Sequence, residues 1–313
     1  MLLLIQYTLT FASVLLLVAL GGCIAERSGV INLGLEGIMV MGAMGGALAM
    51  RYLPEGSSAV VIILMVLLAA ALMGVLYSSL LAVASINFKA DQTIIGTAMN
   101  ILGVAAATVI VKAINTAANP NDVSSVIQYA VPKQAFLVNI GDFEFSWFMV
   151  VTVLALIIMH VLLFKTRFGL RLMACGEHPQ AADSVGINVY KMRWAGVLIS
   201  GALGGLGGIV FITAGVSEWR FEYGVGGFGF LSLAVMIFGQ WYPIRIALAA
   251  LLFGIIRALS NVYMGFDFLA AMNIPSQIYN MLPYIISLVV LAFTSKKSRA
   301  PKAEGIPYDP GTR

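Results

Sequence analysis

The chain has 313 residues, of which 60% are hydrophobic and only 10% are charged, and its mean hydropathy is +0.96. Soluble domains are about 45–50% apolar and about 25% charged, so these values exclude a water-soluble fold. The net charge of +4 does not indicate nucleic-acid binding, because the basic residues cluster at the ends of apolar segments and form no single patch. The composition predicts an all-α integral membrane protein, embedded in a lipid bilayer.

Nine apolar segments are candidates for crossing the membrane, since a bilayer core of about 30 Å requires about 20 apolar residues in a helix. They cover residues 2–23, 30–50, 58–85, 92–111, 145–164, 194–214, 226–240, 243–263 and 277–294. The segment 226–240 is short and follows the glycine-rich YGVGGFGF, which predicts a short or broken helix. We therefore expect a polytopic bundle of about nine segments that forms a single transmembrane domain over residues 1–294.

The lysines and arginines predict the orientation of this bundle, because they are enriched in cytoplasmic loops. With alternating crossings, 13 of the 18 basic residues fall on the side that contains the C-terminus. This places the N-terminus outside and the C-terminus in the cytoplasm. Two loops are long: an external loop over 112–144 and a cytoplasmic loop over 165–193. The polar tail, 295–313, is expected to be disordered in the cytoplasm.

The N-terminal segment has two interpretations. The sequence LGGC at 20–23 follows a leucine-rich stretch, as in a lipoprotein cleavage signal. MLLLIQ contains no basic residue, however, and further apolar segments follow, which favours a first transmembrane helix. Two cysteines, Cys23 and Cys175, form no disulfide framework and are expected to be free thiols.

The stretch ERSGVINLGLEGIMVMGA, residues 26–43, places a carboxylate inside a predicted crossing. A charged side chain there costs about 2.5–3.5 kcal/mol and normally faces the bundle interior or a wet cavity. Asn32 and Glu36 have the i, i+4 spacing of one helical face. Either they line a solute pathway, or Glu36 is a structural acid paired with a helix end or another polar group. Glu26 and Arg27 are expected to form an ion pair at the cytoplasmic boundary.

Other polar residues inside apolar segments extend the predicted solute pathway. Thr93, Thr97 and Asn100 follow the i, i+4, i+7 face of a helix, and Ser232 lies in the short glycine-rich segment. Interrupted helices often mark the solute path of a transporter, and 29–46 and 224–240 are candidates for such a pair. The GxxxG spacings at 201–208 instead predict close helix packing.

The cytoplasmic loop contains a short helical signal at its centre, HPQAADSVG. Pro179 is typical of a helix start and Gly186 of a C-cap, so the sequence predicts a helix of about two turns. An ordinary amphipathic connector would have the same pattern.

QAADSVG, at 180–186, resembles the EAA loop of ABC-importer permeases, with Gln180 in place of the usual glutamate. In that family the loop is the coupling helix, which docks into a groove on the ATPase subunit. The resemblance implies that ATPase coupling involves the following residues: Glu177, His178, Pro179, Gln180, Ala181, Ala182, Asp183 and Gly186.

Four further stretches strengthen this resemblance and extend it over most of residues 20–260. They are ERSGVINLGLEGIMVMGA, KADQTIIGTAMNILG, GEHPQAADSVGINVYKMRWAGVLISGALGGLGG and GFGFLSLAVMIFGQWYPIRIALAALLFGIIRA. In order and spacing they are similar to the permease subunits of nucleoside and simple-sugar ABC importers, relatives of the branched-chain amino acid and ribose permeases. The resemblance implies a multi-pass protein of the bacterial inner membrane. It also implies a second permease subunit, a cytoplasmic ATPase, an external solute-binding lipoprotein, and a nucleoside or sugar as solute.

The sequence contains no catalytic or metal-binding pattern. G-x-x-x-x-G-K-[ST], the phosphate-binding loop of an ATPase, is missing, so no cofactor is expected on this chain, and ATP and Mg²⁺ are expected on the partner ATPase. The alternative function class is a single-chain, ion-coupled secondary transporter in which Glu36 would carry the ion.

Overall fold

Eleven α-helices and one β-hairpin make up the part of the chain that the computed structural model describes, residues 2–141, 143–215, 219–265, 275–294 and 299–311. The first five helices are α1 (Leu2–Arg27), α2 (Leu35–Tyr52), α3 (Ala59–Ala82), α4 (Gln92–Ala118) and α5 (Trp147–Lys165). Those that follow are α6 (Arg167–Glu177), α7 (Pro179–Ser184), α8 (Val189–Val210), α9 (Phe228–Phe238), α10 (Pro243–Val262) and α11 (Ser276–Thr294). Single π-helical turns extend α3 and α8, over Val83–Asn87 and Phe211–Gly215.

Each of the nine predicted crossings overlaps one of these helices. Six helical segments within the described residues are long and apolar enough to span a bilayer: Leu2–Arg27, Ala59–Asn87, Gln92–Ala118, Trp147–Lys165, Val189–Gly215 and Pro243–Val262. The expected short helix is α9, whose 11 residues measure about 16 Å, half of a bilayer core of about 30 Å. The count of nine crossings and the orientation of the termini stay predictions.

Helix α1 lies at the centre of the bundle and packs against α5, α8, α9 and α10. It is apolar on every side, and 94% of its most apolar 18-residue stretch is buried, as expected of a helix surrounded by protein. By contrast, only 22% of the most apolar 18-residue stretch of α3 and its π-helical extension is buried. Its exposed residues include Leu64, Leu68, Leu72 and Leu76, which form an outer apolar surface suited to lipid.

Glycines allow α8 to pack closely against α2 and α3. A Cβ atom added to Gly201 would lie 2.6 Å from the Gly74 carbonyl oxygen in α3. One added to Gly42 in α2 would lie 2.8 Å from the carbonyl carbon of Gly205. The close helix packing predicted from the GxxxG spacing is therefore present, and larger residues would separate the three helices.

The loop between α4 and α5 folds back onto the helices. A β-hairpin pairs β1 (Leu137–Ile140) with β2 (Phe143–Ser146) in antiparallel register, with Leu137 opposite Ser146. Gln6 donates a hydrogen bond to Glu144 over 2.8 Å, which ties the hairpin to α1. The sequence did not predict this hairpin.

Most of the polar tail differs from the expected disorder, and its other residues, 295–298 and 312–313, lie outside the described part of the chain. Residues 299–311, which we call the tail segment, pack against the ends of α1, α6 and α8. The amide of Ala303 donates to the Gly176 carbonyl over 2.9 Å, and the side chains of Ala303 and Tyr308 are buried. Although the segment is polar and rich in proline and glycine, its few apolar side chains and its backbone find partners on the bundle, which explains the difference.

Candidate functional site

The chain between α1 and α2 is buried but not helical. Helix α1 ends at Arg27, Gly29 has a φ of +95°, and α2 begins at Leu35. Asn32 therefore precedes the helix, and the helical face predicted for Asn32 and Glu36 is wrong. Because buried backbone groups in a membrane protein need internal partners, side chains from α4 bond to this segment. Gln92 accepts from the Ile31 amide over 2.7 Å.

Two asparagines complete these bonds. Asn100 on α4 donates to the Leu33 carbonyl over 2.8 Å and accepts from the Gly37 amide over 2.9 Å. Asn32 is fully buried and donates to the Ser200 hydroxyl of α8 over 2.8 Å. Both asparagines thus hold the segment that leads into α2.

A second interruption precedes α9. Phe221–Tyr223 form a 3-10 turn, after which Gly224, Gly226 and Gly227 have φ values of +61°, +61° and +80°. Glycine adopts this left-handed conformation without steric cost, which explains the glycine-rich sequence. The first N–H groups of α9 then have no partner within the helix.

The carboxylate of Glu36 joins the two interruptions. One oxygen accepts from the Gly227 amide over 2.7 Å, and the other accepts from the Gly229 amide over 2.7 Å. The side chain is only 8% exposed. Negative charge at a helix N-terminus is stabilised by the free N–H groups and by the helix dipole. These contacts are those of a structural acid paired with a helix end, the second interpretation of Glu36.

The other predicted pathway residues lie in two environments. Ser232 is buried one turn into α9 and donates to the Phe228 carbonyl over 2.8 Å. Thr93 and Thr97 are exposed on the outer surface of α4, where the Thr97 hydroxyl donates to the Thr93 carbonyl over 2.8 Å. The structure thus brings Glu36 and Asn100 together on the segment leading into α2 and leaves the two threonines on a separate surface.

The residues that surround the start of α9 were not predicted as site residues from the sequence. Tyr284 on α11 donates to the Gly226 carbonyl over 2.6 Å. The Arg257 guanidinium lies over the rings of Phe228, at 5.5 Å, and Phe11, at 5.8 Å. The available signal was Arg257 itself, a basic residue well inside a predicted crossing.

Glu26 and Arg27 bond to the turn that follows α9. The Trp241 indole N–H donates to the Glu26 carboxylate over 2.5 Å, and Arg27 donates to the Trp241 carbonyl over 3.1 Å. The ion pair predicted between Glu26 and Arg27 is not among the salt bridges of the described residues. Both side chains instead hold the C-terminal end of α9.

The short helix predicted at the centre of the loop over 165–193 is present as α7. It begins at Pro179 and ends at Ser184, and Gly186 follows with a φ of +82°. The Gly186 amide donates a hydrogen bond to the Asp183 carbonyl over 2.9 Å. Pro179 and Ala182 are buried. Of the other residues predicted to couple to an ATPase, Glu177 is half-buried at the end of α6, and the exposed ones are His178, Gln180, Ala181, Asp183 and Gly186.

The cysteines and the acidic residues form no metal site in the described part of the chain. Cys23 and Cys175 are free and buried, as expected from the sequence. No group of three or more histidine, cysteine or acidic side chains lies close enough to hold a metal ion within the described ranges. The candidate site therefore has two parts. One is a hydrogen-bonded junction between the segments that lead into α2 and α9, and the other is the exposed short helix α7.

Comparison with known proteins places these features in a family. The family model described as the permease component of branched-chain amino acid transport systems matches residues 4–291. The nucleoside ABC transporter permease protein NupC of Lactococcus lactis is 38% identical over 303 residues, covering 96% of this chain and 94% of that protein. The guanosine ABC transporter permease protein NupQ of Bacillus subtilis is 39% identical over 310 residues, covering 98% and 96%.

Two further proteins are more distantly similar to this chain. The guanosine ABC transporter permease protein NupP, also from Bacillus subtilis, is 25% identical over 270 residues, covering 85% of this chain and 74% of that protein. A solved ABC transporter of the metal-chelate type in an inward-facing conformation has a TM-score of 0.51 and 17% identity, covering 94% of this chain and 85% of that one. The latter likeness shows the fold alone.

Proposed function

The chain belongs to the family of branched-chain amino acid transport permeases, and we propose that it is the transmembrane permease subunit of an ATP-driven ABC importer for nucleosides. The observation that carries the solute class is the nearly full-length likeness to permeases named for nucleoside and guanosine transport. The protein is a transport component and not an enzyme in its own right.

We expect nine crossings of the bacterial inner membrane, with the N-terminus outside and the C-terminus in the cytoplasm. The excess of basic residues on one side supports this orientation. The ends of α1 and α6, the coupling helix and the tail segment also lie together at one end of the bundle.

The partners follow from the same proposal. A cytoplasmic ATPase would bind ATP and Mg²⁺ and dock at 177–186, where His178, Gln180, Ala181 and Asp183 are exposed. An external lipoprotein would deliver the solute. A second permease would complete the pore, and the occurrence of NupQ and NupP in one organism supports a pair of diverged subunits.

The proposed solute path runs along the surface of α4 that carries Thr93 and Thr97, because hydroxyl groups exposed on an apolar helix suit a wet interface better than lipid. The interrupted helices α2 and α9 form its supporting wall. There Asn32, Asn100 and Ser232 are bonded within the protein, and the Glu36 carboxylate is bonded to backbone amides. This use of Glu36 favours the importer over an ion-coupled transporter.

Purification of the tagged chain in mild detergent, followed by mass spectrometry and reconstitution, tests the proposal. We expect an ATPase and a second permease to copurify, and ATP-dependent uptake of labelled guanosine that unlabelled nucleosides, but not simple sugars, compete. Competition by sugars alone would change the solute class. Uptake by the isolated chain, driven by an ion gradient, would overturn the importer proposal.

Ala182→Glu tests the docking of the ATPase separately. A buried charge at the inner surface of α7 should displace this helix, so ATP hydrolysis should continue while uptake falls. The control is Ala118→Glu, which introduces the same charge at an exposed position, the C-terminal end of α4. Equal uptake by both variants would contradict the assignment of α7.

A further inference from the structure

The tail segment contacts the coupling helix directly. Tyr308 is only 4% exposed and packs in a small apolar cluster with Cys175, Ala182 and Val189. Its ring meets that of Tyr190 edge to face, with 5.4 Å between the centroids. Its hydroxyl interacts with the Asp183 carboxylate of α7. The inner surface of the coupling helix is thus completed by a residue from the end of the chain.

The same segment is bonded to the transmembrane helices. Arg193 of α8 donates to the Ile306 carbonyl over 2.8 Å, and the Gly305 amide donates to the Gly29 carbonyl over 3.3 Å. Lys89, in the turn between α3 and α4, forms an ion pair of 3.3 Å with Asp309. These partners belong to three separate parts of the bundle.

The coupling helix needs such support because its own structure provides little. Six residues are far fewer than the roughly 12–15 that an isolated helix requires in water. Of these six, only Pro179 and Ala182 are buried. Its neighbours in the chain are α6, which ends at Glu177, and α8, which begins at Val189.

We propose that the tail segment positions the coupling helix on the transmembrane helices, with Tyr308 as the positioning residue. The inference rests on the proposed function, since it assumes that the ATPase acts on α7. A movement of α7 would be transmitted to Gly29 through the contacts of Tyr308 with α7 and of Gly305 with Gly29. From Gly29 the chain leads directly to Glu36 and its contact with α9.

The test measures ATP hydrolysis and solute uptake separately in proteoliposomes that contain the complete transporter. For Tyr308→Ala we expect the number of solutes carried per ATP to fall about two- to thirtyfold, the range that mutations along coupled networks produce. The complex should still copurify. Tyr308→Phe keeps the ring and should lose less. Ile306→Ala is the matched control, because that side chain is 56% exposed and only its carbonyl is used.

A charge exchange keeps the test valid if Tyr308→Ala fails to assemble. Lys89 and Asp309 have half-exposed side chains, so their replacement does not disturb the core. Asp309→Lys should lower the number of solutes per ATP, and Asp309→Lys combined with Lys89→Asp should restore it.

The outcomes separate the two proposals. Wild-type coupling in Tyr308→Ala, or a charge exchange without rescue, would overturn the role of the tail segment and leave the importer intact. Failure of the wild-type protein to bind an ATPase would overturn the importer itself.

Discussion

Two buried carboxylates, ten residues apart in the sequence, hold opposite ends of the same short helix. Glu36 accepts from the amides of Gly227 and Gly229, at the start of α9. Glu26 accepts from the indole of Trp241, just after the end of α9. A helix of 11 residues cannot cross a bilayer alone, and these two acids fix it to the segment between α1 and α2.

The carboxylates differ in how their charge is compensated. Glu36 receives two fixed backbone donors and the favourable end of a helix dipole. Glu26 receives one neutral donor and faces a second acid, Glu304 of the tail segment, to which it is hydrogen-bonded. The first arrangement gives each oxygen of the carboxylate a fixed backbone donor, whereas the second provides a single donor and places two acids side by side. The contact at the start of α9 should therefore be stronger.

The largest effect is expected for Glu36→Ala. The substitution leaves two buried amides without a partner, which costs about 1–3 kcal/mol for each group. The free energy of unfolding, measured by denaturant titration in detergent, should fall accordingly. Thr97→Ala, on the exposed surface of α4, should change little. Equal stability of the two variants would show that the carboxylate does not hold α9.

Gly229→Ala tests the same contact from the side of α9. The added Cβ would lie 2.5 Å from the Glu36 nitrogen and 2.6 Å from its Cα, so α2 and α9 must separate. Overpacking of this kind costs about 1–3 kcal/mol of unfolding free energy. Ser232→Ala, one turn later on α9, is the control. A fully stable Gly229→Ala variant would contradict the close approach.

Trp241→Phe removes the indole donor to Glu26 and retains the carbonyl that accepts from Arg27. We expect a loss of about 1–2 kcal/mol in unfolding free energy, below that of Glu36→Ala. Trp194→Phe is a matched control, since its indole bonds to Asn87 in a more exposed position. A loss larger than that of Glu36→Ala would reverse the ranking of the two ends.

The smallest effect is a pH dependence of the tail segment. Burial raises the pKa of Glu304 from its ordinary 4.5 to about 7, and its hydrogen bond with Glu26 offsets part of this rise. Because the raised pKa favours the protonated form when the tail is docked, docking should be strongest below pH 4.5 and weaken as the pH rises to about 7. The ionisable group that acts on Glu304 is Glu26.

The mobility of a spin label at Pro310→Cys, an exposed position, measures this dependence. Mobility should increase with pH over that range in the wild-type background and stay constant in Glu304→Gln, which keeps the hydrogen bond without the ionisation. The same pH profile in both proteins would exclude Glu304 as the titrating group.

The sequence by itself determined the apolar segments, the shortness of α9 and the short helix α7. These features depend on local hydropathy and on the local conformations of Pro179, Gly186 and the glycines before Phe228, which neighbouring residues largely decide. The polar residues of the candidate site could be found in the same way, because a carboxylate inside an apolar segment is costly wherever it lies.

Only the tertiary structure decided what these residues contact. The partners of Glu36 and of Glu26 lie about 190 and 215 residues away along the chain, and no local pattern relates them. Disorder was expected for the tail because its composition is polar, yet Tyr308 and Ala303 are buried on the bundle. The composition of a segment determines how much apolar surface it has. Which residues bury that surface is decided only when helices that are distant in the sequence pack together.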